Sequence, residues 1–197
     1  SKQTAEILMK VKETKTPYEA LIYNFEPKMS SERITKTFKE LLGGLKPLIT
    51  KIEAYQTKPS TQLTSRTVPL ESQRVVAQLI TQTLGYDTAS TMACGRVDET
   101  EHPFTSGCYD DVRITTHYHL NNYTSSIFSV LHETGHAIYE HNINSEWKYQ
   151  PIGATCSYGV HESQSRFYEN IIGRSKEFWK GFLPKVKIAA PVLSETK

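Results

Sequence analysis

His132-Glu133-Thr134-Gly135-His136 constrains the fold of this 197-residue chain more tightly than any other stretch. It is a His-Glu-x-x-His segment whose chemistry works only on a helix. Residues four apart share a helical face, so both imidazoles can reach one ion. Glu133, one step round, can then reach a water on that ion. The flanking pattern agrees, because Ile127, Val130, Leu131, Thr134 and Ile138 form one broad apolar face of a helix starting near Tyr123. Five-residue matches arise by chance, and two histidines on a core helix are ordinary. Gly135 adds weight. A glycine in a helix interior costs about 1 kcal/mol relative to Ala, so its place between the histidines points to close approach of another backbone or of a substrate.

A catalytic zinc ion keeps three protein ligands and one open position, so a further donor has to come from elsewhere in the chain. Glu162, in His161-Glu162-Ser163-Gln164-Ser165-Arg166, lies 26 residues beyond His136, on the next predicted helix and after a loop able to fold it back. A carboxylate from a second helix is the ligand pattern of thermolysin-like sites. Glu169, further along the same helix, competes for this role. Glu140 and His141 are weaker rivals, being too close to the motif to turn back.

The rest of the chain supplies mostly helices. Ile34, Phe38, Leu41, Leu42, Leu45, Ile49 and Ile52 recur at steps of three and four over 31–55, an amphipathic helix that Ser30 or Ser31 can cap. Gly43, Gly44 and Pro47 interrupt it, predicting one bent helix or two. A loop is expected over 57–67. Pro69 stands where a first helical residue would, before Val75, Val76, Leu79, Ile80 and Leu84, and Gly85 ends that helix. From Thr91 to Thr116 short β-branched and aromatic stretches broken by Gly95, Pro103 and Gly107 read as strands and turns, with Asp111 to Tyr118 the best strand. Residues 142–158 read as an ordered loop. A last helical region starts near Tyr158 or Gly159, runs through Phe167, Ile171 and Ile172, and can restart at Ser175.

Composition narrows the class. With 38% hydrophobic and 22% charged residues the chain has the make-up of a folded protein that fits one domain or a large piece of one. A net charge of +2 spread along the chain gives no call for nucleic acid, and no apolar run approaches a membrane span or a signal peptide, so the cytoplasm is the default location. Cys94, Cys108 and Cys156 are too irregularly spaced for a disulfide framework or a Cys-x-x-Cys site, and are expected to be reduced, mostly buried thiols.

Four ordered segments carry a resemblance: His102-Pro103-Phe104, Asp111-Val112-Arg113-Ile114-Thr115, His132 to His136, and His161 to Arg166. In order and spacing they resemble the carboxypeptidase Taq family, the M32 metallocarboxypeptidases. Pro17-Tyr18-Glu19-Ala20-Leu21, Gly85-Tyr86-Asp87 and Glu169-Asn170 with Gly173-Arg174-Ser175 are similar to that family as well. The resemblance implies a mainly α fold with a small β-sheet near the metal site, zincin-like, with a thermolysin-type motif helix and a Glu-bearing second helix. It implies His132, His136 and Glu162 as ligands of zinc or cobalt, and Glu133 as general base. It further implies removal of residues from peptide C-termini, hence a site for a free carboxylate. Arg113 matches an arginine implicated there, and its planar fork suits a carboxylate; an ion pair with Asp110 or Asp111 is the alternative. His161 orients the site or helps hold the transition state, the alternative being a hydrogen bond that fixes Glu162. His102 joins the substrate-binding set, with packing of a loop against the site equally open. His117 and His119 read as surface histidines.

Residues 1–197 resemble only the middle of such enzymes, the central zinc-binding portion without the family's N-terminal and C-terminal helical parts. A further motif of the type Gly-x-x-Gln-x-Asp-x-Arg, bringing a second arginine and a tyrosine, is expected beyond Lys197. A missing helical layer would expose apolar surface and favour a homodimer or a partner chain. The alternatives to a zinc carboxypeptidase are a metal-binding but catalytically incomplete subunit, and an endopeptidase sharing the same zinc chemistry.

Overall fold

The structure, a computed structural model, describes residues 1–55, 60–61 and 64–194. The loop expected over 57–67 therefore lies partly outside the described residues. The chain forms two compact units, Ser1–Ser60 with Ser157–Gly159, and Thr61–Cys156 with Val160–Lys197.

In the first unit α1 (Lys2–Val11) packs on the short α2 (Pro17–Ile22), and α3 (Ser31–Glu53) follows. Caps set these boundaries. Pro17 begins α2 with its missing N–H harmlessly at the start, and the Thr16 hydroxyl accepts from the Glu19 amide at 3.2 Å. Ser30 caps α3 by accepting from the Arg33 amide at 3.1 Å. The buried Glu19 carboxylate joins the two helices, accepting from the Ser31 amide at 2.9 Å and the Ser31 hydroxyl at 2.7 Å. Those bonds hold its carboxyl below the usual range. Of the two outcomes expected around Pro47, a single helix is found: α3 runs through it undivided. The carbonyl that the Pro47 ring crowds belongs to Gly43, whose lack of a Cβ lets the backbone adjust, and an exposed helix can give that carbonyl to water. No residue of α3 is buried, and its apolar stripe is exposed from Phe38 to Ile52.

The second unit holds a three-stranded sheet against helices. Its order is β1 (Gly95–Glu99), β3 (Asp111–Thr116), β2 (Thr105–Cys108), with β1 parallel and β2 antiparallel to the central β3. Alternation on β3 buries Val112 and Ile114 completely beneath α5 (Tyr123–His141) and leaves Arg113 on the other face. The turn into β3 depends on Gly107, at φ +101, where a Cβ would stand 2.1 Å from the Asp111 carbonyl oxygen. Helix α4 (Leu70–Thr83) packs on α5 and on α7 (Lys176–Ala189), and Ile80, Val130, Leu131, Phe182 and Val186 close the core between them. Pro69 is the cap of α4 rather than its first residue, because its ψ of 141 is extended. Gly85 follows the helix end with φ +84, as its position suggested.

The last helical region starts at Tyr158 and runs through Ile172 as expected, α-helical as α6 (Tyr158–Arg166) and then widened into a π-helical turn (Phe167–Ile172), before Ser175 caps α7. One sequence expectation needs correction. The cysteines are free but not mostly buried: Cys108 ends the edge strand β2, Cys156 lies in the loop before α6, and both are exposed, leaving only Cys94 partly covered.

Candidate metal centre

The site lies within the second unit and is assembled from α5 and α6. Their approach depends on Gly135. A Cβ there would stand 2.7 Å from the Ser165 Cα and 2.8 Å from the Gln164 carbonyl oxygen, so the backbone of α6 passes where any side chain would be. That contact puts Glu162, one turn earlier on α6, over the histidine face of α5.

His132, His136 and Glu162 converge with one donor atom each, all within 4.8 Å of one another. Glu162 Oε2 is 3.6 Å from His132 Nε2 and 3.4 Å from His136 Nε2. Donors about 2.0–2.1 Å from a tetrahedral zinc ion stand roughly 3.3–3.4 Å apart, so the spacing suits an ion of that size. The opposite ring nitrogens are engaged in ways that free both Nε2 atoms. His132 Nδ1 donates to Glu169 Oε2 at 2.9 Å. His136 Nδ1 lies 2.6 Å from His161 Nδ1, and His161 Nε2 lies 2.8 Å from Glu140 Oε1. Glu140 can only accept, so His161 Nε2 carries the proton, His161 Nδ1 accepts, and His136 Nδ1 donates. The lone pair of His136 then sits on Nε2, facing the other donors. Burial, then the neighbouring His161 and His132, push His136 down to about 4, which keeps it in the neutral form that a metal requires. Burial also works to raise Glu162 and Glu169, yet their partners prevail and both stay below the usual carboxylate range. For Glu162 these are Arg166, His132 and Ser165; for Glu169 they are Arg174, His132 and Arg166.

Glu133 lies beside the cluster, only 6% exposed. The Thr105 hydroxyl, at the start of edge strand β2, is 2.7 Å from its Oε2. Burial raises its carboxyl above the ordinary range. Among the described residues no hydrogen bond engages Oε1. An open cleft of about 460 Å³ runs past His132 and Glu133, walled by Phe128, Ser129, Glu169 and Arg174.

The remaining sequence candidates fall differently. Glu169, the rival third ligand, stands behind His132 and orients it. Glu140 does the same for His136 one step removed, through His161, and His141 donates instead to the Tyr109 carbonyl at 2.8 Å. His161 is brought to the cluster, but it holds His136 rather than Glu162. Arg113 grips Asp111 through Nε and Nη2, both at 2.8 Å, on the exposed face of β3, while Asp110 pairs with Lys148 at 2.6 Å. His102 is exposed in the bend before β2, with its carbonyl 3.4 Å from the Thr115 hydroxyl. The rings of His117 and His119 lie 4.2 Å apart, away from the donor triad. Sequence reasoning gave no role to Thr105, Arg166 or Arg174. Only the last two carried a signal, as cations four and twelve residues beyond Glu162. The wide π turn brings Arg174 back to Glu169 Oε1 at 2.8 Å, although the two are five residues apart.

Fold and site together bring two histidines of α5 and a carboxylate of α6 into one group that could hold a metal ion. The chain belongs to the carboxypeptidase Taq (M32) metallopeptidase family, whose sequence profile matches residues 1–196. It is 41% identical over 177 residues to carboxypeptidase 1 of Bacillus subtilis, which covers 89% of this chain and 34% of that one. To thermostable carboxypeptidase 1 of Thermus thermophilus it is 41% identical over 171 residues, covering 86% and 33%. The crystal structure of the M32 carboxypeptidase from Deinococcus radiodurans superposes with a TM-score of 0.84 at 32% identity, over 97% of this chain and 38% of that one. The chain thus spans about a third of the length of the curated relatives it matches.

Proposed function

We propose that this chain carries the catalytic centre of a zinc-dependent metallocarboxypeptidase that removes C-terminal residues from peptides. The observation that carries the reading is the convergence of His132 Nε2, His136 Nε2 and Glu162 Oε2 beside the buried Glu133. Cobalt is the other metal this donor set would accept. A zinc ion held by these three residues supplies Lewis-acid polarisation of the scissile carbonyl and makes water acidic near neutral pH. The protein's own residues do the rest. Glu133, held at Oε2 by Thr105, takes a proton from the attacking water at Oε1 and delivers it to the leaving amine. Glu169, and Glu140 through His161, keep the two imidazoles in the tautomer that leaves Nε2 bare, so His161 acts as an orienting residue. Phe128, Ser129 and Arg174 flank the approach to Glu133.

Recognition of a free C-terminal carboxylate requires a cation. Arg113 and His102 remain the proposed contacts, and Arg113 would have to exchange Asp111 for the substrate. The test compares a short peptide with a free C-terminus against its C-terminal amide, using chain reloaded with zinc and a chelator-stripped control. Stepwise loss of terminal residues, seen only with metal and reduced at least tenfold by amidation, is the expected result. Undiminished cleavage of the amide would make the chain an endopeptidase and leave Arg113 structural. Metal bound without any cleavage would favour the second reading, a metal-binding subunit that needs another chain.

The exposed stripe of α3, with Phe38, Leu41, Leu45, Ile49 and Ile52, supports the proposal of a homodimer or partner chain, since a contiguous apolar face in water favours association. Light scattering on the purified chain should give a mass above the 22.4 kDa of one copy; a monodisperse monomer would count against self-association. Among the described residues no helix is long and apolar enough to cross a membrane, and the cytoplasm remains the proposed location.

A further inference from the structure

The carboxylate of the donor triad is also its most exposed member, with 46% of the Glu162 side chain accessible against 17% for each histidine. A glutamate near the surface has several rotamers to lose and two oxygens that can take an ion singly or together. What limits this one is its neighbour a turn along α6. Arg166 Nε donates to Glu162 Oε1 at 2.8 Å, and the Ser165 hydroxyl lies 3.1 Å from Oε2. The same guanidinium sends Nη1 to Glu169 Oε2 at 3.3 Å, the atom that accepts from His132 Nδ1. Arg166 thereby links the carboxylate that would bind the ion to the carboxylate that orients the first imidazole.

We propose that Arg166 is a positioning residue of the metal centre: by occupying Glu162 Oε1 it presents Oε2 alone to the ion, and through Glu169 it ties that carboxylate to the orientation of His132. The proposal rests on the assignment of His132, His136 and Glu162 as the ligands. Ordinary surface pairing would not require this residue type. An exposed i,i+4 ion pair does little beyond a small gain in helix stability, and a lysine would do that as well. Spanning two carboxylates from one side chain requires the planar fork of a guanidinium, which an ammonium on a flexible stem lacks. The π turn contributes by fixing Glu169 from its other side, where Arg174 holds Oε1 and leaves Oε2 for His132 and Arg166 together.

The test is cobalt binding to the 197-residue chain, measured by competition with a chromophoric chelator and by the visible absorption of the bound ion. The parent chain should take up one cobalt per chain, and His132→Ala should lose it. Arg166→Ala should bind roughly 10- to 100-fold more weakly, the range for outer partners of metal ligands. Its absorption should also fall, as Glu162 engages the ion through both oxygens and raises the coordination number. Arg166→Lys should recover less than half of the lost affinity on a logarithmic scale. Arg166→Met keeps the aliphatic stem and carries the same expectation as alanine, so a folding defect in one variant does not shelter the idea. Parental affinity and spectrum in Arg166→Ala or Arg166→Met, with His132→Ala still failing to bind, would overturn the proposal and leave the metal site standing. No cobalt on the parent chain would overturn the site assignment itself.

Discussion

Glu133→Gln is expected to bind metal as the parent chain does and to lose peptide hydrolysis by about 10²- to 10⁴-fold, the span attributed to a positioned general base. The substitution keeps shape and packing. Glutamine fills the same space between β2 and α5, and its carbonyl oxygen can still accept from Thr105, which now holds Oε2 at 2.7 Å. It cannot take a proton at the position of Oε1. The donor atoms of His132, His136 and Glu162 are untouched, so metal stoichiometry and affinity serve as the internal control. Burial makes the case more discriminating. A neutral amide costs less than a carboxylate in a site only 6% exposed, so the variant should be at least as stable as the parent. Lost activity with retained metal and retained stability cannot then be put down to a damaged fold. Turnover equal to the parent's would remove Glu133 from the mechanism.

The parts of this structure legible in the sequence are those set by local rules. The spacing of His132 and His136 set them on one face of a helix, the pair Ser30 and Ser31 marked the start of α3, where Ser30 is the cap, and Gly85 marked a helix end at a positive φ. Glu162 was singled out because a third ligand would have to arrive on a returning helix, and its Oε2 lies 3.6 and 3.4 Å from the two imidazoles. What stayed hidden depends on how elements meet. Thr105 reaches Glu133 only because β2 pairs antiparallel with β3 at the edge beside α5, a register that no local pattern specifies. Glu169 looked like a competing ligand because an α-helix would present it on the same face as Glu162. The π turn instead sets it behind His132. Arg113 drew a functional reading from its match to the family's arginine, with an ion pair to Asp110 or Asp111 as the alternative, and in the structure it pairs with Asp111 on the exposed face of β3. The exposed cysteines illustrate the same limit, since burial depends on what packs over a residue and not on its type.

Gly135→Ala separates a packing role from helix propensity, because the two act in opposite directions. On an isolated helix the alanine would stabilise by about 1 kcal/mol. Here its methyl would lie 2.7 Å from the Ser165 Cα, and bringing that pair to an ordinary separation of about 3.5 Å requires α6 to retreat by roughly 0.8 Å. The obstacle is backbone, so no side-chain rotation relieves it. Overpacking of this kind costs about 1–3 kcal/mol, which offsets the propensity gain and leaves little net change in the stability of the metal-free chain. The metal centre has no such compensation. Glu162 moves with α6 while the histidines stay on α5, and the 3.4 and 3.6 Å separations that fit one ion both widen. A displacement near 1 Å at a reacting centre can cost on the order of 100-fold in rate, and cobalt affinity should fall at least tenfold. Thermal unfolding with and without metal makes the measurement: the stabilisation that the ion confers on the parent should shrink in the variant while the two metal-free melting temperatures stay close. A variant that melts higher without metal and gains as much from the ion as the parent would mean that α6 accommodates the methyl, and that Gly135 does not set the distance between the ligand helices.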